Sequence, residues 1–354
     1  MRTINQFIKY TAIAGAVFSC SGAFAGNEDR VGSAGASQLL INPWARSSAL
    51  GDAGVSSTNG LEATFTNIAG LAFTDKTQIK FDRTNWLGSA GIALNSVGIA
   101  QRISESSVLA VSVQSMNFGD LDVTSVDLPE PSQGTFTPRM NIFNVGYART
   151  FSSSIYGGIN FKVINENIAN LKGTGVAIDA GIRYVTGEQD QLKLGIALKN
   201  VGPVMRYKGD GLANQVNYLN DGNLATLEQR SATYELPSLL NIGVSYDFIF
   251  NEANKLMVAG AFTANSFQYD QYRIGADYGF TSEKAAFNLR AGYVIEKNVF
   301  SVENRSNSMT GLTAGFSADA LVGKNKSALG VEYAMRLAGT FGIVHTFGVT
   351  ISLK

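Results

Sequence analysis

Side chains suited to catalysis are few in this sequence of 354 residues. His345 is the only histidine; it could act as the general base of a Ser–His hydrolase, but no pattern singles out a serine nucleophile for it. A lone histidine beside a strand more often occupies a turn or an interior position. Phosphate-binding loops, zinc-ligand spacings and calcium loops are absent, and the runs 209–211 and 220–222 are typical of turns. The sequence therefore predicts a protein that is not an enzyme and holds no metal or other cofactor.

A second group of charged side chains recurs between apolar residues at alternate positions. In residues 176–184, for example, Asp179 and Arg183 share one parity, while Val, Ile and Tyr side chains occupy the other. Successive side chains of a strand point to opposite faces, so we expect these charges on the inner face of a barrel. There they form either a network of ion pairs that fills the lumen or a polar conduit. The predicted lumen residues are Asp179, Arg183, Lys193, Lys199, Asp247, Arg273, Asp277, Arg290, Asp319 and Glu332.

The elements that would position these charges are short alternating segments. From Thr77 onwards, segments of about 10 residues alternate with a period of two, as in transmembrane β-barrels. Residues 241–248 show the pattern most clearly. We count about 14 segments, the number being even if both chain ends are periplasmic. They start near Thr77, Ser89, Ser107, Met140, Ile155, Gly173, Gln191, Leu236, Lys255, Tyr272, Ala285, Thr310, Ser327 and Thr346.

The lengths of the connections support this count independently. The long connections, at 118–139, 202–235 and 297–309, all follow odd-numbered strands, namely the third, seventh and eleventh. The connections after even-numbered strands are all short. Bacterial barrels have short periplasmic turns and longer outer loops, so the long connections are predicted to lie outside the cell.

Composition agrees with a membrane barrel. The 28 Lys and Arg balance 28 Asp and Glu, which gives no reason to expect nucleic acid as a partner, and charged residues make up only 16% of the chain. A soluble β-sandwich or lipocalin-like barrel would also alternate, but it would need a larger charged fraction to stay dissolved. We therefore predict an all-β protein, a transmembrane antiparallel barrel of about 14 strands in contact with outer-membrane lipid.

The N-terminus has the form of an export signal. Arg2 and Lys9 precede an apolar run at 10–18, and Ala23-Phe24-Ala25 is an A-x-A cleavage site. Residues 1–25 are thus predicted to be a signal peptide for export, and the protein is expected in the outer membrane of a Gram-negative cell. An alternative is a lipoprotein signal in which Cys20, the only cysteine, becomes acylated.

Residues 32–75 differ from the rest of the chain because they are rich in Gly, Ala and Ser and alternate poorly. A segment of this size before a wide barrel can fold into the lumen as a hatch, and small residues permit the close backbone approach that this requires. A periplasmic tail or short amphipathic helices are the alternatives. The predicted organisation is a signal peptide at 1–25, an N-terminal periplasmic or hatch segment at 26–76 and the barrel at 77–354.

Two runs in this segment carry a family resemblance. The first run is Asn42-Pro43-Trp44-Ala45-Arg46-Ser47-Ser48-Ala49-Leu50-Gly51-Asp52-Ala53-Gly54, and the second is Leu61-Glu62-Ala63-Thr64-Phe65-Thr66-Asn67-Ile68-Ala69-Gly70-Leu71. Both resemble the N-terminal region of PorV/PorQ-type proteins, which are relatives of the FadL fatty-acid transporters. In that family the second run contains Asn-Pro-Ala-Gly-Leu, so Ile68 replaces the proline. The resemblance makes Trp44, Arg46, Gly51, Asp52, Asn67, Ala69, Gly70 and Leu71 the candidate hatch or binding residues.

Further resemblances occur at 115–124, 199–203, 235–239 and 290–293, so they extend over nearly the whole mature chain. The family implies a 14-stranded barrel. It also implies a role in type IX secretion, in which the barrel docks on a SprA-type translocon and receives exported proteins by their C-terminal signal domains.

Three functions are compatible with the sequence: a secretion barrel that holds cargo at the surface, a FadL-like channel for hydrophobic small molecules, and a structural barrel with a filled lumen. A cargo binder needs an exposed apolar rim on the long outer loops. A channel needs an apolar pocket beside the hatch and a lateral opening. Alternation alone reveals neither.

Overall fold

The computed structural model describes residues 28–88, 91–124, 126–127, 129–130, 134–217, 224–301, 305–323 and 325–354. Within these ranges, fourteen long strands form one antiparallel sheet. They are β1 (Thr77–Trp86), β2 (Ile92–Arg102), β3 (Ser107–Asn117), β4 (Arg139–Thr150), β5 (Ile155–Ile168), β6 (Leu171–Thr186), β7 (Leu192–Val201), β8 (Leu239–Ile249), β9 (Asn254–Asn265), β10 (Gln271–Thr281), β11 (Ala285–Ile295), β12 (Gly311–Val322), β13 (Ser327–Leu337) and β14 (Ile343–Leu353).

The sheet closes on itself. Each strand pairs with its neighbours in sequence, and β1 also pairs with β14, from Thr77 opposite Leu353 to Asn85 opposite His345. The predicted fold, a 14-stranded antiparallel barrel, is therefore confirmed. Closure leaves no sheet edge whose backbone groups would face lipid unpaired.

Alternation places the apolar side chains outside. On β8, Ile242 is 45% exposed, whereas the side chain of Asn241 points inward and is 2% exposed. The same holds around the barrel, where the exposed face carries Ile, Val, Leu and Phe and the inner face carries polar residues. A soluble protein has the opposite arrangement, so this surface is suited to lipid.

The connections have the predicted lengths. Long connections follow β3, β7 and β11, and their end of the barrel is called the outer end below. Strand β8 begins at Leu239 rather than near Leu236, because Pro237 has no N–H to donate to a ladder. Strand β14 begins at Ile343, three residues before the predicted Thr346. The predicted start at Ser89 and the signal peptide at 1–25, with Cys20, lie outside the described residues.

Short elements complete the fold. The pairs Leu121–Asp122 with Thr135–Phe136 and Ala213–Asn217 with Leu224–Glu228 form small hairpins, and Tyr207–Lys208 pairs with β6. The α-helix α1 spans Ala45–Ala49, and the 3₁₀ helices span Glu28–Arg30, Ser37–Leu40, Gly60–Thr64, Ile68–Phe73, Asp210–Leu212 and Gly339–Phe341.

None of the helices in the described part of the chain has the length and apolar character needed to cross a bilayer.

Candidate functional site

Residues 28–76, called the N-terminal segment below, lie along the inside of the barrel. Near its start, the Gly35 amide donates to the Glu235 carbonyl oxygen at 3.0 Å, in the long connection after β7. Near its end, the Arg102 guanidinium donates to the carbonyl oxygens of Ala72 at 2.8 Å and Asp75 at 2.7 Å, beside the short connection after β2. The segment therefore runs from the outer end to the opposite end before β1 begins at Thr77.

Glycines on the inner face of the wall provide the space that the segment fills. Side chains added at Gly195 and Gly243 would collide with Val55, and one at Gly292 would collide with the backbone at Leu50. The same is true on other strands, where inward-facing glycines lie under the segment at Gly98, Gly146, Gly181, Gly275 and Gly315. Close backbone approach thus depends on small residues in the wall as well as in the segment.

The candidate motif residues at 67–71 lie at the deepest part of this contact. Asn67 is 1% exposed; its Oδ1 accepts from the Ala69 amide at 3.1 Å and caps the 3₁₀ helix Ile68–Phe73. Its Nδ2 donates to the carbonyl oxygens of Val55 at 2.9 Å and Ile182 at 3.1 Å. The asparagine therefore forms this turn although Ile68 replaces the family's proline. Ala69 and Leu71 are fully buried, and Gly70 packs against the Thr58 carbonyl and Arg183.

The other candidate segment residues also face the wall. Trp44 is fully buried, and Gly51 packs against Thr313 and Val294. The Asp52 carboxylate accepts from Arg336 on β13 at 2.8 Å. Arg46 bridges Asp319 and Glu332, both at 2.7 Å. The functional role of these eight residues stays a prediction.

Lys80 on β1 is the centre of a buried charge network that is the most extensive among the described residues. Its ammonium donates to the carboxylates of Glu62 in the segment and Glu332 on β13. Lys80 and the Glu332 side chain are at most 1% exposed. Asp82, also fully buried, accepts from the Ala45 amide at 2.6 Å, at the start of α1. The network thus joins the segment to the wall through charge-assisted hydrogen bonds.

All ten predicted lumen charges face the interior, and most have partners. Asp179 pairs with Lys162 at 2.6 Å, Asp247 with Lys193 at 2.6 Å and Asp277 with Arg290 at 2.9 Å. Arg183 instead donates to Asn59 Oδ1 at 2.6 Å and the Thr58 carbonyl in the segment. Lys199 and Arg273 have no carboxylate partner among the described residues. The interior is therefore largely a network of ion pairs rather than an open conduit.

An internal cavity of about 240 Å³ remains between the segment and the wall. It lies near the outer ends of the strands. The charged groups that line it are Asp52, Lys199, Arg273 and Arg336, together with apolar side chains such as Phe65 and Val294 and the carboxamides of Asn265, Gln268 and Gln271.

At the outer end, Glu166 of β5 fastens the long connection after β7. Its Oε2 accepts from the hydroxyls of Tyr207 at 2.6 Å and Tyr234 at 2.7 Å, and its Oε1 accepts from Gln38 of the segment at 2.7 Å. Burial and the hydrogen bond to Glu166 raise the pKa of Tyr207 to about 12. The same two causes raise the pKa of Tyr234 above its ordinary value.

Exposed apolar side chains occur on all three long connections. Leu121 is 44% exposed after β3, Val204 is 56% exposed after β7 and Phe300 is 83% exposed after β11. Each long connection at the outer end therefore carries at least one exposed apolar side chain.

His345 lies on the lipid-facing side of β14, not in a turn or the lumen as expected from the sequence. Its Nδ1 hydrogen-bonds to the hydroxyl of Tyr333 at 2.8 Å. Within the described residues it makes no hydrogen bond to a serine.

Sequence reasoning missed several buried charged residues of the barrel interior and the segment. Lys80, Asp82 and Lys162 follow the same alternation as the predicted lumen residues and could have been found by it. The sequence pattern around Glu62 and Glu166 gives less indication that these residues are buried and paired. Glu62 lies in a segment without periodicity, and the role of Glu166 depends on a connection that folds back over the strand.

Comparisons with known proteins agree with this architecture. The family model described as "Type IX secretion system protein PorV" matches residues 24–266. The fold is similar to the toluene transporter TodX of Pseudomonas putida, with 11% identity, a TM-score of 0.53 and coverage of 88% of this chain and 98% of that one. It is also similar to a FadL homologue of Pseudomonas aeruginosa, with 12% identity, a TM-score of 0.52 and coverage of 88% and 98%. At such identities the likeness shows the fold alone. No functionally curated protein matches the sequence.

Proposed function

The chain belongs to the PorV family of type IX secretion system proteins, and from this membership we propose that it binds exported proteins at the cell surface while docked on the system's translocon. The family match over residues 24–266 carries the proposal. The translocon would be a large SprA-type barrel, and cargo would be recognised by its C-terminal signal domain. Residues 1–25 would direct export across the inner membrane, before the barrel inserts into the outer membrane.

The shape of the outer end supports a binding role. Three connections there are long enough to form a binding surface, and each carries an apolar side chain that is exposed to water. Burial of such side chains by a partner is favourable because it removes apolar area from water. Phe300 is the most prominent of them.

The filled interior supports the same role. We infer that the N-terminal segment acts as a hatch, because it occupies the lumen and is hydrogen-bonded to the wall at both ends. A protein that binds cargo at its rim needs no open lumen. The hatch would also keep the barrel closed to solutes while cargo is held outside.

The test is deletion of the gene, followed by measurement of surface proteins that carry the C-terminal signal. We expect their secretion to fail and to be restored by the wild-type chain, and a mild-detergent purification to recover the translocon and cargo. Normal secretion in the deletion strain would refute the proposal.

A matched pair of variants tests the rim itself. Phe300→Ser should reduce recovery of cargo because it removes an exposed apolar contact. Phe341→Ser is the control, since Phe341 is also 51% exposed at the outer end but lies in a short connection. Equal recovery of cargo with both variants would show that the long connection after β11 is not part of the surface.

A second candidate is a channel for hydrophobic small molecules, which the internal cavity beside the segment favours. Its buried cations count against an entirely apolar route. If the deletion strain secretes normally but no longer takes up labelled hydrophobic compounds, the channel becomes the better account.

A further inference from the structure

The internal cavity has the size of a small-molecule site. Its volume of about 240 Å³ is room for several water molecules or one small solute. It is lined by the N-terminal segment on one side and by the outer ends of several strands on the other. A cavity of this size can accommodate a small solute.

Positive charge exceeds negative charge around this cavity. Lys199, Arg273 and Arg336 line it, and Asp52 is the one carboxylate among its described lining residues. The Asp52 carboxylate is already engaged, because it accepts from Arg336 at 2.8 Å and from Asn42 at 2.5 Å. Lys199 and Arg273 are therefore left without a compensating anion.

Lys199 is the clearer of these two cations. It is 3% exposed, and its ammonium lies 3.7 Å from the centre of the Phe65 ring, yet it makes no hydrogen bond or ion pair with any described residue. It lies in a β-bulge, where Lys199 and Asn200 of β7 both oppose Asp179 of β6 and both face inward. Such bulges commonly occur at functional sites, where they redirect side chains.

The carboxylate nearest to this bulge is not available to Lys199. Asp179 accepts from the Lys162 ammonium at 2.6 Å and from the Asn200 amide at 2.7 Å. Lys162 also donates to Asn200 Oδ1 at 2.8 Å. The bulge is thus held by Asp179 and Lys162, and the lysine beside it is left for another partner.

Arg273 of β10 shows the same lack of a partner. Its Nη2 donates to Gln271 Oε1 at 2.7 Å, while its Nε is buried without a hydrogen bond in the described structure. The adjacent carboxylate, that of Glu296, accepts from Gln271 Nε2 at 2.6 Å and from the Ser306 hydroxyl at 2.7 Å. A buried cation without a partner costs free energy, and a bound anion would remove that cost.

We propose that this cavity binds a small anion whose carboxylate or phosphate group is contacted by Lys199 and Arg273. Arginine suits either group because its N–H donors match two oxygens at once, and lysine adds a point charge. The apolar side chains of Phe65, Leu239 and Val294 surround the rest of the ligand. This inference does not depend on the secretion role, which concerns the outer rim.

The experiment is a calorimetric titration of the purified full-length protein in detergent. Inorganic phosphate and succinate are the probes, and glycerol is the uncharged control. We expect saturable binding of at least one anion, weakened by salt, and none of glycerol. Binding of phosphate alone assigns the site to phosphoryl groups, and binding of succinate alone assigns it to carboxylates. No saturable binding of either anion would overturn the proposal, whatever the variants show.

Matched variants locate the binding. Lys199→Met and Arg273→Met should each weaken it by about tenfold or more, because each removes a charge-assisted hydrogen bond, whereas Lys199→Arg should retain it. Lys172→Met is the control, since Lys172 is an exposed lysine on the outward face of β6. Heat-modifiable gel migration reports whether each variant forms the barrel. Unchanged affinity in folded Lys199→Met would also overturn the proposal.

Discussion

The carboxamide of Asn67 lies directly over Gly181, in the space that a side chain on β6 would occupy. The same carboxamide donates to the carbonyl oxygen of Ile182, the next residue on that strand, at 3.1 Å. The N-terminal segment therefore packs closely against the wall at this point. A substitution of either Asn67 or Gly181 is expected to disturb the contact between them.

Gly181→Ala should displace the segment. The added methyl group collides with Asn67, and we expect a loss of about 1–3 kcal/mol from overpacking, with faster hydrogen exchange at residues 66–72. Gly260→Ala is the matched control on β9, because the nearest atom to its added carbon is the Arg273 carbonyl oxygen at 4.0 Å. Similar exchange in both variants would show that the segment is not held by this contact.

Asn67→Ala should loosen the same turn from the other side. It removes two donated hydrogen bonds and the cap of the 3₁₀ helix, so we expect about 1–3 kcal/mol less stability and impaired function in a barrel that still assembles. Asn165→Ala, on the outward face of β5, should have little effect. Protease digestion of the folded barrel measures release of the segment. Equal resistance in both variants would contradict the assignment.

Lys80→Met should be among the most damaging single changes. It leaves the carboxylates of Glu62 and Glu332 buried without their shared cation, and removing one partner of a buried pair costs about 3–5 kcal/mol. Lys255→Met, which removes a lysine 50% exposed beside Asp247, should cost about 1 kcal/mol or less. Urea unfolding in lipid vesicles measures the free energy of unfolding of both variants. A similar free energy of unfolding for the two variants would argue against the network's importance.

The contact between Tyr207 and Glu166 should depend on pH at the alkaline end. Because the pKa of Tyr207 is raised from 10.0 to about 12, its contribution to folding is complete below pH 10 and is lost as pH rises through 12. In Glu166→Gln the carboxylate is gone, so Tyr207 should ionise closer to pH 10. The ultraviolet absorbance of the phenolate, measured as a function of pH, reports the ionisation of the tyrosine in both proteins. Identical titration curves would show that Glu166 does not control this tyrosine.

The barrel could be predicted because lipid on one side and a polar interior on the other impose a strict period of two on every strand. That period also marks Lys80 and Lys162, since each alternates with apolar neighbours. It could not reveal which charges pair, because partners such as Lys80 and Glu332 lie on strands at opposite ends of the barrel sequence.

The segment could be predicted only by its composition and family resemblance. Its backbone follows no repeating pattern, and its contacts are set by the distribution of glycines on eight or more distant strands of the wall. The bulge at Lys199 was equally hidden, because the alternation of β7 breaks only at Lys199 and Asn200, directly before the strand ends at Val201.

The pairing of β1 with β14 also bears on the order in which the barrel is expected to assemble. The N-terminal segment is joined directly to β1, so it lies inside the circle that the last strand completes. If the seam formed first, Trp44 and Arg46 would have to thread past glycine-lined walls into a space with almost no room. We therefore expect the N-terminal segment to be in place before β1 pairs with β14, so that this seam forms last.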